Sequence, residues 1–467
     1  VGACKFAPFP TAPPQPHPRR GGARSKKDFG KSDDPRVQAQ LDRLAALSLP
    51  QGRLGLETIR ALLERLGNPH RKLPPVFHVA GTNGKGSTCA FLRAMLEAQG
   101  YKVHVTTSPH LVRYNERIRL AGELISDEAL AAVLAEVLDA GEDLGPSFFE
   151  VTIAAAFLAF SRTPADVCVV EVGMGGRFDA TNVLEPEALA ACGIAALGLD
   201  HERFLLAPED GVPQEPMARI AFEKAGIAKK GVPLVTLGEL YPSEAQAAIQ
   251  AVARQTGAAL SQFGPDWVCD TAVGGTLYFF DYGDCEAERD FPLPAIPGAH
   301  QARNAALAIA MLKSQNRRSV TFEAMKTGLW QARWPARMQT LGDGPLTALT
   351  SSPKVILDGG HNPSAGQAIA NALPDDPHSI HLILGMIEGK DPRAIIAPLG
   401  DRVRTLTVVP VPGHDHHPAS AFGPEARAAD NLEAALLGLP SDDFPILIAG
   451  SLYLAGEVLR LNGESPD

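Results

Sequence analysis

Short apolar runs alternate with longer amphipathic stretches along most of this chain. Residues 76–79 (VFHV), 102–108 (KVHVTTS), 165–173 (ADVCVVEVG) and 188–199 (ALAACGIAALGL) are strand-like, and helical patterns fill the intervals. Strands apolar along their whole length predict a largely parallel sheet covered on both faces. Upstream, Leu54, Leu56, Ile59, Leu62, Leu63 and Leu66 recur at helical spacing, and Gly67-Asn68-Pro69 supplies a stop. Order is expected to begin near Asp34-Pro35. The texture changes at 258–292, where LSQFGPDWVCD and GTLYFFDYGD read as hairpin material. A helix at 300–315 follows. Strand-like runs then return at 354–360, 381–386, 405–412 and 444–451, which fit a smaller Rossmann-like α/β domain.

The expected organisation is an extension over 1–34, a large P-loop-type parallel-sheet ATPase domain over 35–330 and a smaller α/β domain over 331–467, with the boundary somewhere in 326–340. The extension is proline-rich and has no signal-peptide core. No segment approaches the roughly 18–20 uninterrupted apolar residues of a membrane span, so the cytoplasm is the default location. Six widely scattered cysteines with no CxxC pair read as free thiols, not as disulfides or a zinc site. A formal charge of -10 disfavours nucleic acid as a partner but leaves room for a local anion pocket. A monomer is expected.

The chemistry starts at Gly81-Thr82-Asn83-Gly84-Lys85-Gly86-Ser87-Thr88, between an apolar strand and an amphipathic helix. It reads as a Walker A variant with glycine at 86 where that pattern takes Ser/Thr. Glycines let backbone N–H groups converge on phosphate, and Lys85 reaches between phosphates. The loop lacks the GxGxxG of dinucleotide binders. Ser108, Glu171 and His201 fall at predicted strand ends and make a sensible Mg²⁺ environment. A buried salt bridge for Glu171 and caps for Ser108 and His201 stay open as alternatives. Pattern alone makes Lys224 a residue of a solvated helix face. Asp358 and His361 follow a strand directly, where they either face the first domain's loops or make an Asx-turn; Asn304 and Arg337 are polar islands near the domain junction. There is no GxSxG or other nucleophile motif.

Taken together, GTNGKGST, TSPHLVRYNERI, FFEVTIAAAFLAF, EVGMGGRFDATN, GLDH, EKAGI, GAHQARNAALA, WPARM, DGGHNP and AGSLYLAGEV resemble, in order, the folylpolyglutamate synthase / dihydrofolate synthase family of the Mur ligase superfamily. They cover roughly residues 36–460. The resemblance implies ATP-dependent amide formation between L-glutamate and dihydropteroate or a reduced folate, through an acyl phosphate, with ATP and two Mg²⁺ ions. It also implies ATP contacts from Gly84, Lys85, Gly86, Ser87, Asn304, Arg337, Asp358 and His361. Ser108, Glu171 and His201 become metal ligands, and Lys224 matches a lysine carbamylated in the family, which displaces the solvated-face reading. Lys85, Lys224 and His201 are the expected catalytic residues; Ser147, Phe148, Phe149 and Phe178 would face the pterin-bearing substrate. A folylpolyglutamate synthase alone, or a non-catalytic ATP-binding regulator, are the alternatives. Three departures stand out: residues 202–222 lack the family's LG-x-T element, Ala336 replaces glycine in WPGR, and Gly360 replaces alanine in DGAHNP.

Overall fold

The computed structural model describes residues 32–47, 55–272, 275–283 and 288–466. The expectations for residues 1–31 and for Leu54 lie outside the described residues. The first helix, Pro35–Ala46, starts where expected. Its N-cap Asp34 accepts from the Arg36 N–H at 2.8 Å, proline occupies the first turn, and Val37, Leu41 and Leu44 are buried on one face.

The large sheet comprises β1 (Val76–Ala80), β2 (Val103–Thr106), β3 (Ile118–Leu120), β4 (Glu123–Leu124), β5 (Val167–Glu171), β6 (Leu189–Ile194), β7 (Pro233–Thr236) and β8 (Ala259–Gln262). Their order is β4-β3-β2-β5-β1-β6-β7-β8, parallel from β2 through β8, with β3 and β4 an antiparallel edge hairpin. Every residue of β1, β5 and β6 is buried, the outcome of apolar runs sandwiched between helix layers. From β1 the chain steps to one side for β2 and later to the other side for β6 to β8. The crevice at the C-terminal end of β1 is therefore the place where such a sheet builds a site.

One expectation needs correcting. The 258–292 stretch is only partly hairpin: β8 is the eighth strand of the large sheet, paired in parallel with β7. The remainder forms a three-stranded antiparallel sheet of β9 (Trp267–Ala272), β10 (Thr276–Asp281) and β11 (Glu288–Pro292). It packs on the helices His300–Lys313 and Phe322–Gln331. The change of texture marked strands in this region, but it did not tell which sheet they join.

The second sheet is built from β12 (Gln339–Thr340), β13 (Val355–Leu357), β14 (Ile380–Leu384), β15 (Val403–Val408), β16 (Arg427–Ala428) and β17 (Ile446–Ala449), in the order β12-β13-β17-β14-β15-β16. All but β12 run parallel. Ile383 and Ile448 enter one apolar cluster and Leu382, Leu384 and Leu447 another, so both faces are covered. The core of the large sheet extends to Ala332, and the first residue of the next cluster is Ala336. Cys89, Cys168 and Cys192 are buried free thiols and Cys269 is half-buried.

Candidate active site

The phosphate loop joins β1 to the helix Lys85–Ala98. Only Thr82 and Asn83 separate Gly81 from Gly84, two residues where the Walker A pattern has four. The shorter loop is pinned to the end of β6: the Thr82 and Asn83 N–H groups donate to the Ala196 carbonyl at 2.8 and 3.1 Å, and the Thr82 hydroxyl donates to the Gly198 carbonyl at 2.8 Å. Among the described residues, the next four N–H groups, of Gly84, Lys85, Gly86 and Ser87, find no protein acceptor. They open a helix, an arrangement able to hold an anion. The Lys85 ammonium rests meanwhile on the carbonyls of Gly81 and Thr82, at 3.2 and 3.3 Å.

Two glycines of this loop answer to contacts far along the chain. Gly84 has φ +83° and lies against the Asn304 amide, whose oxygen a Cβ would strike. Gly86 lies under the Trp334 indole, where a Cβ would fall 2.6 Å from Cε2 and 2.9 Å from Nε1. The missing Walker Ser/Thr is thus explained by packing: the indole fills the space its side chain would need.

Strands β5 and β6 flank β1 and bring the other polar groups to the same end. Glu171 closes β5 and is 5 % exposed. Its Oε2 accepts from the Ser108 N–H at 3.0 Å, while Oε1 has no hydrogen-bond partner among the described residues. Burial raises its pKa, opposed by Lys85, the Ser108 N–H, Arg337 and Arg117. Ser108 contacts Glu171 through its backbone; the helix cap considered for it is absent from the described residues. His201 has φ +53° at the entry to the short helix Glu202–Leu205. It is exposed, but desolvation, with the charges of Lys390, Lys85 and Lys224, pulls its pKa down to about 4 against the opposing Asp200. Its ring is therefore neutral near pH 7, with a lone pair to offer.

The residues present fit a small divalent cation. No group of three His, Cys, Asp or Glu side chains converges among the described residues. Mg²⁺ does not require one: it keeps several waters and takes one or two carboxylates plus phosphate oxygens. A buried carboxylate with one open oxygen, beside the phosphate cradle, meets that demand.

Lys224 corrects the reading from pattern alone. It is 3 % exposed and donates to the Gly81 carbonyl at 3.0 Å, directly beneath the loop. Burial, reinforced by Lys85, lowers its pKa to about 7. The helix that carries it, Pro216–Ala225, is held by a compact ion-pair cage. Arg177 meets Glu209 at 2.5 Å and Glu223 at 2.8 Å; Arg219 meets the same two carboxylates at 2.9 and 3.0 Å. Glu209 belongs to the divergent 202–222 stretch, which is thereby anchored and not loose.

The second domain forms the opposite wall. The Asp358 carboxylate accepts from the N–H of Gly360 at 2.7 Å, an Asx-turn, and of Met338 at 2.9 Å. Its two oxygens are thus engaged by backbone. The Arg337 guanidinium donates to the Ala336 carbonyl at 2.8 Å, and Asn304 to Gln301 at 2.9 Å. His361 binds the Gly359 carbonyl through Nδ1 at 3.0 Å and holds Nε2 3.7 Å from Asp200. Two interdomain contacts went unread in the sequence. Asn83 of the phosphate loop and Asn362 exchange amide hydrogen bonds at 3.1 and 3.3 Å, and Lys390 reaches Asp200 at 2.5 Å. All four residues lie in loops that follow strands of the two parallel sheets.

All the site residues singled out from the sequence line one cleft of about 1110 Å³, except Lys224, which lies under its floor. That exceeds the roughly 300–1,000 Å³ of a single ligand pocket, leaving space for more than one substrate. Phe148, Phe149 and Phe178 supply its aromatic side; Phe149 packs over Gly173, and Arg177 stacks 4.3 Å beneath the Phe178 ring. Ser147 is foremost a helix cap: it accepts from the Glu150 N–H at 3.3 Å, and Glu150 accepts in return from its backbone N–H at 2.8 Å. Asp179, absent from the sequence-based set, sits beside Phe178. It is buried, accepts from the Met174 N–H at 2.8 Å and the Thr181 hydroxyl at 2.5 Å, and has its pKa raised by burial.

Fold and site define a two-domain P-loop α/β protein of the Mur ligase type. No family model matches the chain. It is 35 % identical over 427 residues to the folylpolyglutamate synthase of Lacticaseibacillus casei, covering 87 % of this chain and 94 % of that one. It is 33 % identical over 420 residues to the dihydrofolate synthase/folylpolyglutamate synthase of Escherichia coli, covering 87 % and 91 %. Among solved structures, E. coli FolC in complex with DHPP and ADP superposes with a TM-score of 0.76 at 30 % identity, over 91 % of this chain and 97 % of that one. A bifunctional folylpolyglutamate synthase/dihydrofolate synthase with Mn, AMPPNP and L-glutamate bound superposes at 0.77 and 29 %, over 93 % and 99 %. The chain belongs to the folylpolyglutamate synthase / dihydrofolate synthase family.

Proposed function

We propose that this chain is an ATP-dependent carboxylate–amine ligase that adds L-glutamate to dihydropteroate and to reduced folates. One observation carries the reading. Four backbone N–H groups without a protein acceptor among the described residues, the Lys85 ammonium and the open oxygen of Glu171 meet in a cleft with an aromatic side. Relatives of this architecture have been solved with ADP and DHPP, and with AMPPNP, Mn and L-glutamate.

In this reading the N–H groups of Gly84 to Ser87 and Lys85 hold the triphosphate, with Asn304, Arg337 and the Asp358–His361 turn closing around the nucleotide. Ser108, Glu171 and His201 hold Mg²⁺, which when bound neutralises charge developing on phosphoryl oxygens. An acceptor carboxylate oxygen attacks the γ-phosphorus, and ADP leaves. The α-amine of L-glutamate then attacks the acyl carbon, the tetrahedral adduct collapses, and phosphate departs with the former carboxylate oxygen while the nitrogen loses its proton. Negative charge grows on oxygen at each stage, so fixed donors such as Lys85 lower the barriers. No protein nucleophile is needed. The acyl phosphate is labile to water, and the Asn83–Asn362 and Lys390–Asp200 contacts draw the second domain over the loop to exclude it. Lys224, as an amine with a pKa near 7, is suited to take up CO2 as a carbamate and so place an anion under the metal region.

No helix of the described residues is long and apolar enough to cross a membrane. Cytoplasmic placement, a monomeric state and the lack of a nucleic-acid partner are part of the proposal; light scattering on the purified protein tests the second. The test of function is ADP release with Mg-ATP and L-glutamate, offering dihydropteroate and then tetrahydrofolate. Release with both is expected. Release with tetrahydrofolate alone leaves a folylpolyglutamate synthase, and release with neither removes the ligase reading.

A further inference from the structure

We propose that Arg117 is a binding residue for a substrate carboxylate, the carboxylate of either the pteroyl acceptor or the incoming amino acid. The inference rests on the ligase reading above. Arg117 ends the short turn Tyr114–Arg117 ahead of β3, is 7 % exposed, and lines the cleft beside Ser108, Phe148 and Glu171. Its guanidinium carbon lies 5.3 Å from the centre of the Tyr114 ring and 5.2 Å from that of Phe148, so two aromatic faces hold the plane in place.

Among the described residues, no carboxylate lies within ion-pair distance of this cation. Its only side-chain hydrogen bond among the described residues goes from Nε to His110 Nδ1, at 2.8 Å. An imidazole accepting that proton at Nδ1 carries no compensating negative charge. The adjacent carboxylate, Glu116, is spent on backbone, accepting from the N–H groups of Leu111, Val112 and Arg113 at 2.7, 2.8 and 2.5 Å. Glu171 lies beyond ion-pair distance and already serves the Ser108 N–H. The other well-buried arginine of this domain, Arg219, meets two carboxylates. A buried guanidinium left unpaired is costly, and such a cost persists where a ligand supplies the partner.

Among the described residues the two Nη groups make no hydrogen bond, and neither is sealed from solvent. They present a two-pronged donor edge whose geometry suits a carboxylate. The phosphates of ATP have their own cradle at Gly84 to Ser87, whereas each of the other two substrates brings a carboxylate that must be steered next to it.

The experiment compares wild type with Arg117→Met and Arg117→Lys in steady-state ADP release, taking separate KM values for L-glutamate, for the acceptor and for ATP, with thermal melts alongside. Removing the charged hydrogen bonds should raise one of the two carboxylate-substrate KM values about 10- to 100-fold, and leave the ATP KM unchanged. Which KM moves identifies whose carboxylate is bound. A folded Met variant with both values at wild type overturns the proposal and makes Arg117 a strut for Tyr114 and Phe148. If the Met variant does not fold, the Lys variant keeps the charge and loses the fork; unchanged values there overturn it equally. An inactive wild type would instead refute the ligase reading.

Discussion

Replacing Gly86 with serine would restore the residue type of a Walker A loop, and the structure predicts that it damages the protein. The new Cβ would fall 2.6 Å from Cε2 and 2.9 Å from Nε1 of Trp334. Carbon atoms settle at about 3.5–4.0 Å, so one side must yield by roughly 1 Å. Trp334 is half-buried against the loop and the core of the large domain and precedes Arg337 by three residues, so displacing the indole also shifts a residue proposed to hold the nucleotide. If the helix start yields instead, the N–H groups of Gly86 and Ser87 leave the phosphate position. Overpacking of this kind costs about 1–3 kcal/mol of stability. A misplacement of about 1 Å in a positioning group costs on the order of 10²-fold in rate. ADP-release kinetics should therefore show kcat/KM for ATP down by about that factor, with a melting temperature lowered by several degrees. The double variant Gly86→Ser, Trp334→Ala tests the cause. Freed of the indole, it should recover at least about tenfold over Gly86→Ser alone, because touching residues couple. Wild-type kinetics and melting in the single variant would refute the steric argument, and lack of recovery would place the fault elsewhere.

Two further predictions concern charge. Lys85→Ala and Glu171→Gln should each melt close to wild type yet lose about 10²-fold or more in turnover, since each removes a group facing developing charge; turnover near wild type in either would dismiss the role given to that residue. Lys224 has its pKa lowered to about 7 by burial, whereas the unfolded chain holds its proton up to the ordinary lysine range. Above pH 7 the folded state binds fewer protons than the unfolded one, so stability rises with pH until the unfolded lysine also deprotonates. In CO2-free buffer, Lys224→Met should thus melt higher than wild type at pH 6, with a smaller margin at pH 9, and be inactive at both. A margin that grows with pH would contradict the buried-ammonium account.

Periodicity was a good guide where strands are buried on both faces. The runs at 76–79, 165–173 and 188–199 became β1, β5 and β6 because their burial leaves no polar position to blur the pattern. It failed at edges. The hairpin of β3 and β4 is three and two residues long and mostly half-exposed, so nothing periodic could mark it. The placement of β8 beside β7 is a long-range pairing that local sequence does not encode. The site was legible in its loop but not in its constraints. Glycine at 86 reads as a departure until Trp334, nearly 250 residues on, is seen to occupy its space. Lys224 is a charge on an amphipathic helix, which favours solvent on average; here its helix is buried beneath the loop. Arg117 carries no local sign of being unpaired, because Glu116 next to it looks like a partner and is engaged by backbone instead.

The central claim is amide formation through an acyl phosphate in this cleft, and the fate of one oxygen tests it most directly. Dihydropteroate labelled with 18O in its carboxylate is turned over with Mg-ATP and L-glutamate, and the released phosphate is analysed by mass spectrometry. The account predicts one 18O atom per phosphate, carried from the carboxylate through the acyl phosphate, in step with ADP formed. Unlabelled phosphate alongside the amide product would contradict it.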